Sequence, residues 1–196
     1  AYGECLRIYP DDPEVLRRLA ELLFLNGDRN AAEPLYRRYL HIDSTDAFAW
    51  CRIGEIQAGQ GKKKKAAATW KSIIAEVPNH PLAYRLLDVL MAEEKSIEER
   101  IALWDTLSEK YPEAAEPLVR RALLYDAAAE EEALLLLRRA VVLVPGDSVI
   151  HYHLGIAAYH QGMFEESAAA FREALRLNPS DPRNVRWLEK VLAEKT

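Results

Sequence analysis

The sequence predicts an all-α fold, a solenoid of stacked antiparallel helix pairs. The chain contains a repeat of about 34 residues. One position of this repeat is aromatic in five of its six copies, although aromatic residues are only 9% of the chain. Its members are Tyr2, Tyr36, Trp70, Trp104, Leu137 and Phe171. Pro78 and Pro112 are separated by one repeat length, and so are Pro145 and Pro179. No segment of useful length has the period of a β-strand, and a repeat of about 34 residues is typical of stacked helix pairs.

Each period contains two amphipathic helices. In the clearest copy, Val149–His160 and Phe164–Leu177 carry apolar stripes and Gly162 lies at the turn between them. Gly27 and Gly61 occupy the same turn position, where glycine permits a positive φ. Since one helix pair buries only part of its apolar surface, stacking has to complete the core. The predicted organisation is one array, with a half repeat at 1–12, repeats at 13–46, 47–80, 81–114, 115–147 and 148–181, and a closing helix at 182–196.

Small residues mark the places where the two helices of a pair cross. The first helices contribute Ala20, Gly54, Asp88, Ala122 and Gly155, and the second helices contribute Ala32, Ala66, Arg100, Ala133 and Ser167. Small side chains let two helices approach to the lower end of the usual interaxial range. Asp88 and Arg100 break the pattern in the third copy. Either they form an ion pair across the helix pair, or the pair opens and both charges reach water.

The fourth copy is one residue short. Ala122 and Ala133 are closer together in the chain than the equivalent Ala20 and Ala32, by a single position. The missing residue therefore falls in the turn within 126–132. Arg121 also occupies a position that is leucine or isoleucine in the other copies, so we expect this copy to be the most distorted.

Composition and motifs exclude several classes of function. The formal net charge is −5, which argues against a general nucleic-acid binder. No apolar run is long enough to insert directly into a membrane, and no leader is visible. There is no glycine-rich phosphate loop, nucleophile elbow or zinc-protease motif, so we expect no enzyme activity, catalytic residue, metal or cofactor.

Two copies closely resemble the tetratricopeptide repeat. They carry Leu154-Gly155, Tyr159, Gly162, Phe164, Phe171, Ala174 and Pro179 in one, and Trp50, Ile53-Gly54, Gly61, Ala66, Trp70 and Pro78 in the other. The resemblance covers essentially the whole chain. It implies a right-handed superhelix whose concave groove, lined by the first helix of each repeat, binds a peptide or helix of a partner protein. The resulting expectation is a non-catalytic interaction scaffold, and the alternative is a regulatory or substrate-recruiting region of a larger enzyme such as a transferase.

The repeat register assigns residues to this groove, because positions i, i+4 and i+7 share a helix face. The groove residues are Arg17, Glu21, Phe24, Phe48, Glu55, Arg85, Val89, Val119, Leu123, Tyr152, Ile156, Tyr159, Arg186 and Lys190. The face is charged at its start and apolar or aromatic later. This favours an apolar peptide segment or amphipathic helix, with Arg186 and Lys190 near an acidic end. The alternatives are that a tight superhelix or parts of a parent chain cover these side chains, or that the face self-associates.

One subfamily, which binds chaperone C-terminal tails, holds a carboxylate with lysine and asparagine side chains. Here the corresponding positions carry Arg17 and Glu21, then Arg52, then Leu82 and Leu86. Glu21 would repel a carboxylate, so binding of chaperone tails is not expected.

Other conspicuous residues have ordinary explanations. His153 and His160 lie two helical turns apart and lack a third ligand, so solvated or hydrogen-bonded histidines are favoured over a metal site. Lys62–Lys65 is either a solvated turn or a contact for an acidic partner or headgroup. Cys5 and Cys51 are several helices apart and are expected to be free thiols, which leans weakly towards the cytoplasm.

The N-terminal segment is a second helix without its first. We therefore expect the sequence to be a piece of a longer protein whose array continues N-terminally, and the exposed half repeat to offer a route to self-association.

Overall fold

The computed structural model describes residues 10–125 and 130–194. These residues form eleven α-helices and no β-strand. In chain order the helices are α1 (Pro13–Leu25), α2 (Arg29–Ile42), α3 (Ala47–Gly59), α4 (Lys63–Glu76), α5 (Pro81–Glu94), α6 (Ile97–Lys110), α7 (Glu116–Ala122), α8 (Glu130–Leu143), α9 (Ser148–His160), α10 (Phe164–Leu177) and α11 (Pro182–Ala193). They belong to two units, unit 1 (Ala1–Glu94) and unit 2 (Lys95–Thr196). The all-α prediction is confirmed, and the division into repeats stays a prediction.

Local sequence signals set the helix ends. An aspartate precedes five helices, and its carboxylate accepts a hydrogen bond from the first helical turn, as Asp12 does from Val15 at 2.9 Å. α6 instead begins with a reciprocal capping box of Ser96 and Glu99. The turn glycines Gly27, Gly61 and Gly162 all have positive φ, between 70° and 86°. The prediction that glycine serves a left-handed turn is therefore confirmed.

Unit 1 packs α1 against α2, and α3 against α4. Its aromatic repeat positions are buried, since Tyr36 is 0% and Trp70 is 2% exposed. The sequence predicts that these rings fill the gap between successive pairs. Trp70, a residue of α4, also packs against α3, the first helix of its own pair. A Cβ atom at Gly54 would be 2.2 Å from the Trp70 indole nitrogen. The absent side chain makes room for the ring.

Unit 2 repeats this arrangement in α9 and α10. A Cβ atom at Gly155 would be 2.8 Å from the Phe171 ring, and the Ser167 hydroxyl donates to the Gly155 carbonyl at 2.7 Å. Trp187 of α11 also stacks on Phe171, with ring centroids 5.6 Å apart. Trp104 of α6 is fully buried.

The fourth copy is distorted, as its missing residue predicts. Its first helix, α7, has 7 residues, whereas the first helices of the other pairs have 13 or 14. Arg121 is half-buried and forms an ion pair with Asp105 at 2.6 Å. Most of the turn predicted to lack a residue, positions 126–129, lies outside the described residues.

Two further predictions are not tested. The half repeat at 1–12, with Tyr2 and Cys5, lies almost entirely outside the described residues. Asp88 and Arg100 belong to different units, so their pairing stays a prediction.

Candidate functional site

The first helices of unit 1 carry a charged and aromatic cluster centred on Arg52. The Arg52 guanidinium carbon lies 4.4 Å from the Phe24 ring centre and 4.7 Å from that of Phe48. Arg52 also donates two hydrogen bonds to Glu21, at 2.7 and 3.1 Å, and one to Glu55 at 2.9 Å. A guanidinium suits this place because its planar face attracts aromatic rings while its edge donates several hydrogen bonds.

Glu21 joins this cluster to α2. Burial by itself would raise the pKa of Glu21, but hydrogen bonds from Arg52 and Tyr36 and the charges of Arg52 and Arg17 lower it overall. Burial and the hydrogen bond to Glu21 in turn raise the pKa of Tyr36. Both groups therefore keep one protonation state around neutral pH, and neither is poised to exchange protons.

Arg17 belongs to a second ion pair, at the start of α3. Its Nε donates to Asp46 at 2.8 Å, and the Tyr39 hydroxyl donates to the same carboxylate at 3.0 Å. Asp46 also caps α3 by accepting from the Ala49 amide at 2.9 Å. These pairs balance most of the charge on this part of unit 1.

Two shallow depressions flank the Arg52 cluster. The first, of about 370 Å³, is lined by Glu14, Arg17, Arg18, Glu21, Leu22, Tyr36 and Phe48. The second, of about 280 Å³, is lined by Arg29, Glu55, Ala58, Gly59, Lys63, Trp70, Leu86, Val89, Leu90 and Glu93. Val89 is 58% exposed beside the second depression. Mixed apolar and charged surfaces of this kind suit side-chain recognition.

The first helices of unit 2 carry an aromatic cluster between α9 and α11. Tyr159 contacts Trp187 with ring centroids 5.4 Å apart, and Tyr152 contacts Phe171 at 6.0 Å. Ile156 is packed in the same cluster. The three predicted residues of α9 are thus brought together, but they are partly covered by the closing helix instead of being fully open.

Basic side chains of α11 lie over these rings. The Arg183 guanidinium carbon is 4.8 Å from the Tyr152 ring centre. The Lys190 ammonium is 4.5 Å from the Tyr159 ring centre and 4.7 Å from that of Trp187. Arg186 is exposed between them along the helix.

His153 completes this surface. Burial and the positive charges of Arg120 and Arg183 lower its pKa to about 4, so the imidazole is neutral at pH 7. Arg120 is held by Glu116 at 3.1 Å. Among the described residues, no group of three or more histidine, cysteine, aspartate or glutamate side chains is placed to hold a metal ion.

The structure corrects the predicted groove at some positions. Val119 is 1% exposed in the core of unit 2, so its assignment to an open surface is wrong. Phe24 is 8% exposed and lies beneath Arg52 and Arg29 instead of lining open space. By contrast Arg85, Val89, Leu123, Arg186 and Lys190 are exposed, and Arg17, Glu21, Phe48, Glu55, Tyr152, Ile156 and Tyr159 are half-buried.

Three residues of these surfaces were missed by the repeat register. Arg52 lies one residue after Cys51, which is fully buried. Arg183 and Trp187 occupy the equivalent face of the closing helix. For Arg183 and Trp187 the sequence did hold a signal, because aromatic or basic side chains occupy positions i, i+3, i+4 and i+7 of the closing helix. Cys51 is a free thiol as predicted, and burial, with the nearby charge of Glu55, raises its pKa to about 12.

No helix in the described part of the chain combines the length and the apolar character needed to cross a bilayer.

Comparisons with known proteins identify the repeat. Family models described as tetratricopeptide repeat match residues 1–47, 49–80 and 148–181, which together exceed half of the chain. No protein of curated function matches the sequence.

Several solved structures share the fold at low sequence identity. TTC0263, a thermophilic TPR protein in Thermus thermophilus, has 22% identity and a TM-score of 0.59 over 92% of this chain and 99% of its own. YrrB, a TPR protein with an unusual peptide-binding site, has 16% identity and a TM-score of 0.50 over 100% of this chain and 98% of its own. Yeast Tom70 has 15% identity and a TM-score of 0.73 over 99% of this chain but only 42% of its own.

Proposed function

Because this chain belongs to the tetratricopeptide repeat family, we propose that it is a non-catalytic scaffold that binds a peptide or helix of a partner protein on its first helices. The observation that carries the proposal is the aromatic surface of unit 2. Tyr152, Ile156 and Tyr159 stand beside Trp187 on adjoining first helices. They keep part of their area open to solvent.

Such a surface suits recognition better than chemistry. Aromatic side chains provide large contact areas with few rotatable bonds, and they dominate the energetics of protein interfaces. Two carboxylates nearby are engaged by cations, Glu116 by Arg120 and Asp181 by Arg183. They are therefore poor candidates for a general base.

The charged cluster of unit 1 supports the same role. Arg52 is clamped by two rings and two carboxylates, and only 16% of its side chain is exposed. A surface whose side chains are already fixed loses less conformational entropy when a partner binds. The peptide-binding site named for YrrB gives a precedent within the fold for peptide recognition.

The test is selection of phage-displayed random dodecapeptides on the full chain. We expect the Tyr152→Ala/Ile156→Asp variant to lose most of the peptides that wild type captures. Val142→Asp is the matched control, because Val142 is 80% exposed on α8, a second helix. Circular dichroism and a urea transition check that each variant is folded. Equal capture by wild type and a folded Tyr152→Ala/Ile156→Asp variant would contradict the proposal.

A further inference from the structure

The start of α5 departs from the pattern of the other first helices. An aspartate precedes α1, α3, α9 and α11, and its carboxylate accepts a hydrogen bond from the first turn of the helix. These aspartates are Asp12, Asp46, Asp147 and Asp181. The residue before α5 is instead His80, one repeat length after Asp46. Unlike an aspartate, a histidine changes its charge just below neutral pH.

His80 caps α5 with its imidazole ring. The Ala83 amide donates to Nδ1 of His80 at 3.3 Å and shares the same hydrogen with the His80 carbonyl at 3.1 Å. Such three-centre hydrogen bonds are common at helix ends. Pro81, the first residue of the helix, has no amide hydrogen to donate. Because Nδ1 accepts a hydrogen bond, it carries no proton itself, and the contact requires the neutral ring.

The surroundings of His80 favour the neutral ring as well. The side chain is half-buried, and this burial lowers its pKa, although its own backbone and the charge of Asp46 act in the opposite direction. Two titratable groups face the ring from α3 and from the residue before it. They are Asp46, which is held by Arg17, and Cys51, whose neutral thiol lies 3.9 Å from Nδ1. A charged imidazole would also stand at the positive end of the α5 dipole.

We propose that His80 is a pH-sensitive N-cap, which holds the first turn of α5 when the imidazole is neutral and releases it when the imidazole is protonated. Protonation places a hydrogen on Nδ1, so the ring no longer accepts from the Ala83 amide. Because the pKa of His80 is lowered in the folded chain, the cap is intact above the pKa of the free side chain and is lost as the pH falls through the lower value.

The state of His80 therefore determines how firmly α5 is held in unit 1. This helix carries Arg85 and Val89, which are both exposed. The inference concerns the stability of α5 and does not depend on the proposed function.

The experiment measures hydrogen exchange of the full chain by mass spectrometry at pH 7 and pH 5, with each rate divided by the intrinsic rate at that pH. Wild type is compared with His80→Asn, because asparagine caps a helix about as well as aspartate does and does not titrate. His41→Asn is the matched control, since His41 is an exposed histidine in the last turn of α2. Residues 83–87 report on the start of α5, and residues 15–19 report on α1, which Asp12 caps.

We expect exchange at the start of α5 to rise about fivefold from pH 7 to pH 5 in wild type and in His41→Asn, and less than about twofold in His80→Asn. Exchange at the start of α1 should rise less than about twofold in all three forms. The inference is overturned if α5 of wild type changes no more than α1, or if His80→Asn shows the same rise as wild type.

An NMR titration of the His80 ring tests wild type alone and does not need the variants to fold. We expect the ring to titrate with a pKa below 6.5, the value of the free side chain. A pKa at or above 6.5 would mean that folding does not disfavour the protonated ring, and the inference would be wrong.

Discussion

Gly54→Ala tests whether a missing side chain shapes the helix pair of unit 1. The new Cβ atom would lie 2.2 Å from Nε1 and 2.6 Å from Cε2 of Trp70. The ring is 2% exposed and its Nε1 donates to the Cys51 carbonyl at 3.3 Å, so it has little freedom to move aside. Forcing an extra methyl group into a packed core costs about 3 kcal/mol at the upper end of the usual range. The lost hydrogen bond adds about 1 kcal/mol.

Alanine also favours the helix more than glycine does, by about 1 kcal/mol. The net expectation is a loss of about 2–3 kcal/mol in the free energy of unfolding, measured by urea denaturation followed by circular dichroism. Gly146→Ala is the control, because a Cβ atom there meets nothing within 4 Å. It should change stability by less than about 0.5 kcal/mol.

A double-mutant cycle separates the steric cost from the helix propensity. In a Trp70→Leu background the ring is gone, so Gly54→Ala should be neutral or stabilising, with a coupling energy of about 2 kcal/mol. If Gly54→Ala alone leaves stability within about 0.5 kcal/mol of wild type, the ring does not depend on the glycine and the reasoning fails.

Three further predictions concern the two surfaces. Arg52→Ala should lower the free energy of unfolding, measured by urea denaturation, by about 2–3 kcal/mol, because it leaves two carboxylates and two rings without their partner. The control Arg176→Ala, in an exposed ion pair, should lower it by less than about 0.5 kcal/mol. Equal effects of the two substitutions would contradict the stabilising role of Arg52. The pKa of His153 is lowered from 6.5 to about 4, so the unfolded chain binds a proton over that window that the folded chain does not. Stability should therefore fall by about 3 kcal/mol from pH 7 to 4 through this residue; a His153→Gln variant whose loss of stability over this range equals that of wild type would refute this. Trp187→Ala should lower the free energy of unfolding by about 3 kcal/mol and speed proteolysis within α11. The control Leu192→Ala, at an exposed position, should lower it by less than about 1 kcal/mol. Equal effects of the two substitutions would show that the Trp187 ring does not anchor α11.

The fold was predictable because each repeat carries its own local signals. The glycines at turns act within a single repeat, and the structure gives them the expected positive φ. The aromatic repeat positions Tyr36, Trp70, Trp104 and Phe171 are buried. Spacing alone indicated that Gly54 and Gly155 lie where helices cross. Only the packed structure shows what fills the space at each glycine. It is a ring from the second helix of the same pair, Trp70 at Gly54 and Phe171 at Gly155.

The candidate site was predictable only in part. Val119 was assigned to an open face on the assumption that its helix resembles the others, but α7 has only 7 residues and Val119 turns into the core. Cys51 and Arg52 are neighbours, and which of them faces outward depends on the whole packing of α3. The cation–aromatic contacts of Arg183 and Lys190 join α9 to α11. A repeat register carries no information on rotamers across such a contact.

If the proposed function is correct, partners bind on the first helices of the pairs. Photo-crosslinking of a selected peptide to the full chain, with the linked residues identified by mass spectrometry, tests it most directly. We expect crosslinks on α9 and α11, at or next to Tyr152, Ile156 and Lys190. Crosslinks confined to the outer surfaces of α8 and α10 would contradict it.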